Sequence, residues 1–180
     1  FDFGSDTSAA FFVDSGLAYS GSSTTTLSGL YHLEGASTSV LANGATHPDE
    51  TVSSGGITLD FAITSGAVGL GYTSKLQTLR IEAGSADGTS QGKPKRIHDV
   101  TLRFHETVGA EVGTSAVNAD RIFFRDSSMD MDTAVPLFTG DKDIEFPGGF
   151  EEGDRIFVQQ TQPLPMTVLA LYPRMNTHDV

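Results

Sequence analysis

A serine in the middle of the chain has the neighbours of a catalytic nucleophile. Residues 88–92 read Gly-Thr-Ser-Gln-Gly, which matches the G-x-S-x-G pattern that places a serine, here Ser90, on a sharp turn between a strand and a helix. Five histidines and many aspartates could complete a triad. The context does not fit, because AGSAD precedes the pattern, KPKRI follows it, and Pro94 disfavours the helix that should come next. We therefore expect no enzymatic activity.

The sequence gives little support for phosphate binding or for a metal site formed by histidines. Gly92 and Lys93 lack the glycine spacing and the following Ser or Thr of a phosphate-binding loop. His98 and His105 lie seven residues apart in one predicted strand, hence on opposite faces, where they could not chelate one ion together. We interpret both histidines as ordinary polar strand residues, and the sequence predicts no cofactor.

Acidic residues are dense in residues 120–154, where ten acids stand against three bases. Alternating carboxylates on one strand face could hold a hard cation such as calcium, but the segment lacks the glycine turn and terminal glutamate of a calcium loop. A solvated acidic face is the preferred interpretation, and no metal is predicted. The alternating carboxylates belong to Asp130, Asp132, Asp141, Asp143 and Glu145.

Composition limits these interpretations further. The chain has 180 residues, of which 38% are hydrophobic and twelve are Phe, so it can bury a core without disulfides, and it has no cysteine to form them. No run of about 18 apolar residues occurs, which predicts a soluble protein without a membrane anchor. A net charge of −12 disfavours stable binding to nucleic acid. The chain begins at Phe1, and we expect it to be a fragment or a processed product.

The elements that must position these residues are predicted to be strands. Residues 96–107 alternate apolar and polar side chains and predict a central strand, with residues 166–172 beside it and, being nearly all apolar, buried on both faces. Asn43-Gly44 predicts a hairpin turn, and residues 39–61 a three-strand meander. Residues 76–81 could be a bulged strand or a short helix. Further strands are predicted at residues 11–14, 67–73, 121–125, 135–139 (an edge strand, because of Pro136), 142–146 and 155–161.

The many short strands predict an all-β fold, an antiparallel β-sandwich or barrel-like domain with long loops and little helix. Residues 15–28 are rich in Gly, Ser and Thr, and they predict a linker or wrapping loop within an N-terminal segment of residues 1–35. Residues 36–180 are predicted to form the β domain. Within it, a small meander of residues 36–66 could pack on a larger unit of residues 67–180.

Several stretches of the chain resemble a family of phage proteins. They are HLEG (32–35), GLGYTS (69–74), GTSQGKPKRI (88–97), PLFTGDK (136–142) and QPLPMTVLAL (162–171). Together with their surroundings, from Leu17 to Arg174, they resemble the C-terminal part of the tubular tail protein B, or nozzle, of short-tailed phages and prophages. Related sequences are often labelled as containing a ubiquitin-activating-enzyme FCCH-like domain. This chain departs at Gly71, where relatives commonly have proline.

The resemblance implies a structural virion component with no cofactor. It would be part of a ring, of six copies, in the tail tube through which DNA leaves the capsid, and it would be assembled in the cytoplasm of the bacterial host. The partners it implies are other copies of the chain, other phage tail proteins and, transiently, DNA in the lumen. Acidic charge suits such a wall, because DNA must slide past it without sticking. The chain has no cysteine for the thioester chemistry that the ubiquitin label suggests.

A second hypothesis from another class is a glycan-binding β-sandwich of a phage tail or secreted protein, one that recognises or cleaves a host glycan. The absence of tryptophan weakens it, because sugars usually stack on flat aromatic faces.

Three cations precede the predicted central strand of this acidic chain, and we expect them to contact a neighbouring subunit rather than DNA. The acidic segment of residues 120–154 on another copy is an available complement, and charge pairs of this kind mainly affect association rate and salt sensitivity. The interaction candidates are Lys93, Lys95, Arg96, Asp141 and Asp143.

The prediction of no catalysis can be tested at Ser90. A fluorophosphonate probe labels activated serines, so we expect no labelling of this chain and no difference between the wild type and Ser90→Ala. Mass spectrometry of the labelled peptide would show the modification. Stoichiometric labelling that Ser90→Ala abolishes would establish a nucleophile and contradict the prediction.

Overall fold

The computed structural model describes residues 7–82, 84–85, 88–89, 92–146, 148–150 and 155–177. These residues form an almost entirely β structure, and their one helical element is a single 3₁₀ turn at Tyr31–Leu33. The strands make separate antiparallel sheets rather than a closed barrel. The predicted all-β, sandwich-like fold class is therefore confirmed.

The described strands are numbered here in chain order. They are β1 (Asp14–Ser28), β2 (Ser37–Ala42), β3 (Ala45–Thr51), β4 (Gly56–Leu70), β5 (Ser74–Gln77), β6 (Gly84–Ser85), β7 (Gly88–Thr89), β8 (Lys95–Thr107), β9 (Glu111–Gly113), β10 (Ala119–Arg121), β11 (Phe138–Glu145), β12 (Phe157–Gln160) and β13 (Val168–Thr177).

Three larger sheets are built from these strands. The first sheet has the order β1-β4-β2-β3, the second β10-β9-β12-β5, and the third β11-β8-β13. All neighbouring strands are antiparallel, and β6 with β7 forms a small separate ribbon. The predicted pairing of a central strand at residues 96–107 with residues 166–172 is confirmed, because β8 lies between β11 and β13.

The hairpin predicted at Asn43-Gly44 joins β2 to β3. Both residues have positive φ, 49° and 82°, as the predicted tight turn requires. The Asn43 side-chain carbonyl accepts hydrogen bonds from the backbone N–H groups of Thr64 and Ser65, which ties the turn to β4. The turn is therefore held by a neighbouring strand as well as by its own conformation.

The three-strand meander predicted for residues 39–61 is wrong in its order. The strands exist, but β2 rather than β3 lies in the middle. The segment of β4 that pairs with β2 is its second half, residues 66–69, where small residues allow close approach. A side chain on Gly66 would place its Cβ in a clash with the Leu41 carbonyl oxygen.

Residues 15–28, predicted to be a linker or wrapping loop, form most of β1. This prediction is wrong because the segment is held by its backbone, which pairs with β4 along the edge of the first sheet. Its side chains are mostly exposed and only Leu27 is buried, so no apolar alternation marks the strand in the sequence. The predicted boundary between residues 66 and 67 falls inside β4, and the division into domains stays a prediction.

Four other predictions about strands are resolved. Residues 74–77 form the strand β5, with no helix nearby. Residues 121–125 are not a strand, because β10 ends at Arg121. The two strands predicted at residues 135–139 and 142–146 are one, β11, which begins after Pro136 and lies at an edge. Residues 166–172 are not buried on both faces.

The last correction has a physical reason in the packing of the third sheet. One face of β13 packs against the core through Val168, Leu171 and Met175, and the other face meets solvent because the second sheet covers only one side of the third. Leu169 and Tyr172 are 60% and 46% exposed. Pro173, which has no N–H to donate, lies in the same strand, as expected for an edge position.

Three apolar clusters hold the sheets together. The largest packs the inner face of β8, with Val100, Leu102 and Phe104, against residues of the second sheet such as Val112 and Val158. This is the packing of two sheets face to face. A second cluster packs residues of the first sheet against Leu30 and Leu33, and a third joins that sheet to the loops before β9 and β13 through Leu41, Ala67, Val108 and Leu164.

Among the described residues, Phe104 is the largest fully buried side chain, and its ring meets Phe124 edge-on with the centroids 5.5 Å apart. We expect Phe104→Ala to lower the free energy of unfolding by about 3–5 kcal/mol, because it leaves a cavity between the sheets. Urea unfolding would measure this. As a control, Val117→Ala at a 92% exposed position should change it by less than about 0.5 kcal/mol. Equal effects of the two substitutions would contradict the assigned core.

Candidate interaction surface

The outer face of the third sheet carries three of the carboxylates that the sequence singled out, Asp141, Asp143 and Glu145. Because side chains alternate along a strand, burial of Val100, Leu102 and Phe104 turns Thr101 and Arg103 outward. Register then places β11 and β13 beside them. Asp141 lies opposite Arg103, Asp143 lies opposite Thr101 on one side, and Tyr172 lies opposite Thr101 on the other.

An ion pair between Arg103 and Asp141 is the strongest polar contact of this face. Arg103 Nε and Nη2 donate to the two carboxylate oxygens of Asp141 at 2.7 and 2.8 Å, which is a bidentate arrangement. These hydrogen bonds hold the pKa of Asp141 below its usual range and raise the pKa of Arg103. The guanidinium also lies over the Tyr172 ring, 5.4 Å from its centroid. One arginine thus connects all three strands.

The acidic interaction candidates are both bonded within the chain. Asp141 pairs with Arg103 as above, and Asp143 accepts a short hydrogen bond from the Thr101 hydroxyl. Both residues remain exposed. A cation from another subunit would add to existing bonds rather than satisfy a free carboxylate, so the assignment of these residues to a subunit contact stays a prediction.

Of the basic candidates, Lys95 is not a surface cation. It is 2% exposed, and its Nζ lies 3.0 Å from the Ile81 carbonyl oxygen and 3.1 Å from Glu82 Oε1. The sequence prediction of a contact with a neighbour is wrong for Lys95, because Lys95 lies two residues before the buried Ile97 and therefore shares its inward face at the start of β8. Arg96, the next residue, is exposed, and Lys93 is half-buried. The basic surface is smaller than predicted.

The structure tests the remaining chemical candidates only in part. Ser90 lies outside the described residues. His98 and His105 are both in β8, but β8 has a bulge at His98, where Ile97 and Asp99 oppose consecutive residues of β13. The bulge breaks the period-two count on which the prediction of opposite faces depends. His98 Nδ1 is buried without a hydrogen-bond partner in the described part of the chain.

The acidic segment is less regular than predicted. Asp130 and Asp132 lie in a turn-rich stretch before β11, so they do not share a strand face. Asp126 in the same stretch accepts hydrogen bonds from the Ser128 hydroxyl and N–H, which lower its pKa. Asp141, Asp143 and Glu145 do alternate as exposed residues of β11.

A cluster that the sequence prediction missed lies on the first sheet. His47 and Glu50 of β3 come close to Asp60 of β4, and one potential ligand atom of each lies within 4.8 Å of the others. Asp60 lies ten or more residues from the other two, and β3 and β4 are not ladder neighbours, so spacing along one strand could not reveal the cluster. The sequence did offer one signal: no Lys or Arg precedes Lys75, so the acidic residues of this part of the chain have no basic side chain near them in sequence.

Comparison with known proteins does not assign the chain to a family. No protein-family model and no curated protein matches the chain. Within the described residues, no helix has the length and apolar character needed to span a membrane.

The ion pair predicts a pH dependence. A carboxylate with a depressed pKa stabilises the fold above the ordinary Asp value near 4, and this stabilisation disappears as the pH falls through the folded-state pKa. We therefore expect Asp141→Asn to be less stable than the wild type at neutral pH, and the difference to vanish in strong acid. Urea unfolding between about pH 2 and pH 7 would measure both curves.

Arg103→Gln provides the matched control for this prediction, because it removes the same pair from the other side. It should flatten the profile in the same way, and the double variant should lose little more than either single variant. Parallel profiles of the wild type and Asp141→Asn would contradict the prediction.

Proposed function

We propose that this chain is a structural component of a phage virion, a subunit of a ring in the tail tube or nozzle through which DNA is ejected. The resemblance of residues 17–174 to nozzle proteins motivates the proposal. The confirmed all-β fold is compatible with it, although many unrelated functions use such folds. In this proposal the protein is assembled in the host cytoplasm, acts in the virion without a cofactor, and is not an enzyme.

The observation that carries the proposal is the pair of open edges of the third sheet. In the described part of the chain, neither β11 nor β13 has a second strand beside it. An exposed edge that carries apolar side chains readily pairs with another chain. On β13 the exposed side chains include Leu169 and Tyr172. A neighbouring copy would cover this edge.

A ring uses two different surfaces of each subunit, because each copy contacts the next in a head-to-tail manner. The two edges of the third sheet differ in the charge of their exposed side chains, as a head-to-tail contact requires. β11 presents Asp141, Asp143 and Glu145, whereas the exposed charge on β13 is Arg174. Opposite charges at the two edges favour contact between unlike edges and disfavour contact between two copies of β11.

Charge also supports passage of DNA. With a net charge of −12, the chain gains little from releasing the counterions of DNA, so contact with the nucleic acid would be brief. Of the three predicted basic contact residues, Lys95 is buried, Lys93 is half-buried and Arg96 is exposed. In the proposal Arg96 contacts acidic residues of the adjacent copy, and other tail proteins bind the ends of the ring.

Native mass spectrometry and negative-stain microscopy would test the proposal. We expect a closed ring of six copies, and we expect Leu169→Asp on β13 to reduce it to smaller species while circular dichroism stays unchanged. Val117→Asp, a new charge at an exposed loop position, is the matched control and should leave the ring intact.

Two outcomes would contradict the proposal. One is a monomer at every concentration. The other is specific binding on a glycan array, which would instead support the glycan-binding hypothesis.

A further inference from the structure

We propose that His47, Glu50 and Asp60 bind one divalent transition-metal ion, such as Zn²⁺, which joins β3 to β4. The proposal does not depend on the proposed function, because the cluster lies on the first sheet and away from the open edges of the third. One His and two carboxylates with water in a fourth position is a ligand set that zinc accepts. The imidazole favours transition metals over Mg²⁺ or Ca²⁺.

The orientation of His47 matches that of a metal ligand. Its side chain is fully buried, and Nδ1 lies 2.8 Å from the Pro48 carbonyl oxygen, an acceptor only, so Nδ1 carries the proton. Histidines that bind metals commonly donate their second ring N–H to a carbonyl in this way. The Phe61 ring packs against the imidazole with the centroids 5.4 Å apart. The lone pair on Nε2 is therefore held in one direction, towards β4.

Two carboxylates lie close to His47 Nε2. Asp60 Oδ2 lies 3.6 Å from His47 Nε2, close to the roughly 3.4 Å that separates two ligands of a tetrahedral zinc ion. The ligand atom of Glu50 lies within 4.8 Å of both, so a small side-chain rotation completes the set. The Asp60 side chain is 76% exposed, which opens the cluster to ions from solvent.

The charges of the cluster are not balanced by the protein. Two carboxylates so close together repel each other, and the first sheet offers no cation, because no Lys or Arg precedes Lys75. The Glu50 side chain is half-buried, yet its carboxylate has no hydrogen-bond or ion-pair partner among the described residues. A divalent cation would neutralise both acids at once.

The metal would act where backbone pairing is missing. Without metal, His47 Nε2 accepts a hydrogen bond from the Asp60 N–H at 3.1 Å, and this is the side-chain link between β3 and the first half of β4. The ion would take over the Nε2 lone pair and replace a single hydrogen bond by coordination from both strands. The Asp60 N–H would then give up this hydrogen bond.

Isothermal titration calorimetry of the tag-free, EDTA-treated chain with ZnCl₂ would test the proposal. We expect one ion per chain. Glu50→Gln and Asp60→Asn should each weaken binding by about tenfold or more. Both substitutions keep the side-chain size and the backbone N–H, and circular dichroism would check the fold. A large excess of Mg²⁺ should not displace the zinc.

Two matched controls separate this cluster from weak surface binding. Asp49→Asn changes the adjacent carboxylate, which accepts a hydrogen bond from the Ser39 hydroxyl and lies outside the cluster. His32→Gln changes an exposed histidine whose Nε2 contacts the Ser15 carbonyl oxygen. Both should bind zinc like the wild type. The proposal is overturned if the wild type shows no saturable binding, or if Asp49→Asn weakens binding as much as Glu50→Gln.

Discussion

The structure depends most on β8, which makes contacts along both of its edges and on both of its faces. Its two edges pair with β11 and β13, its inner face packs against the second sheet, and its outer face carries the pair of Arg103 with Asp141. The inner face supplies most of the stabilisation, because burial of apolar surface outweighs an exposed ion pair. The ion pair instead favours one register, since a shift by one residue would turn Arg103 towards the core.

In the first sheet, the edge strand β1 is stabilised with much less side-chain burial. β1 is long but mostly exposed, and it holds its place through a backbone ladder to β4. Side chains take over where the ladder is interrupted. Asn43 bonds the backbone of residues 64 and 65, Glu34 accepts from the N–H groups of Ser54 and Gly55, and His47 accepts from the N–H of Asp60. Polar side chains thus bond backbone groups at two points of this sheet and in the turn between β3 and β4.

Sequence patterns predicted those parts of the fold in which side-chain chemistry decides the structure. The alternation at Val100, Leu102 and Phe104 identified β8, and Asn43-Gly44 identified a hairpin because few residues adopt positive φ. The missing parts depend on partners that lie far away in sequence. β1 has no apolar alternation, and the burial of Lys95 depends on Glu82 and on the carbonyl of Ile81. The cluster around His47 likewise forms only when β3 reaches β4.

The absence of Lys and Arg before Lys75 has a practical consequence for studies of assembly. Trypsin has no cleavage site within the first sheet, so a digest would yield it as one long peptide that is hard to sequence by mass spectrometry. Amine-reactive cross-linkers would find no lysine there either. Contacts made by the first sheet would therefore escape lysine cross-linking. Contacts of the third sheet could be detected through Lys142. Carboxylate-directed reagents and an acid protease would reveal both.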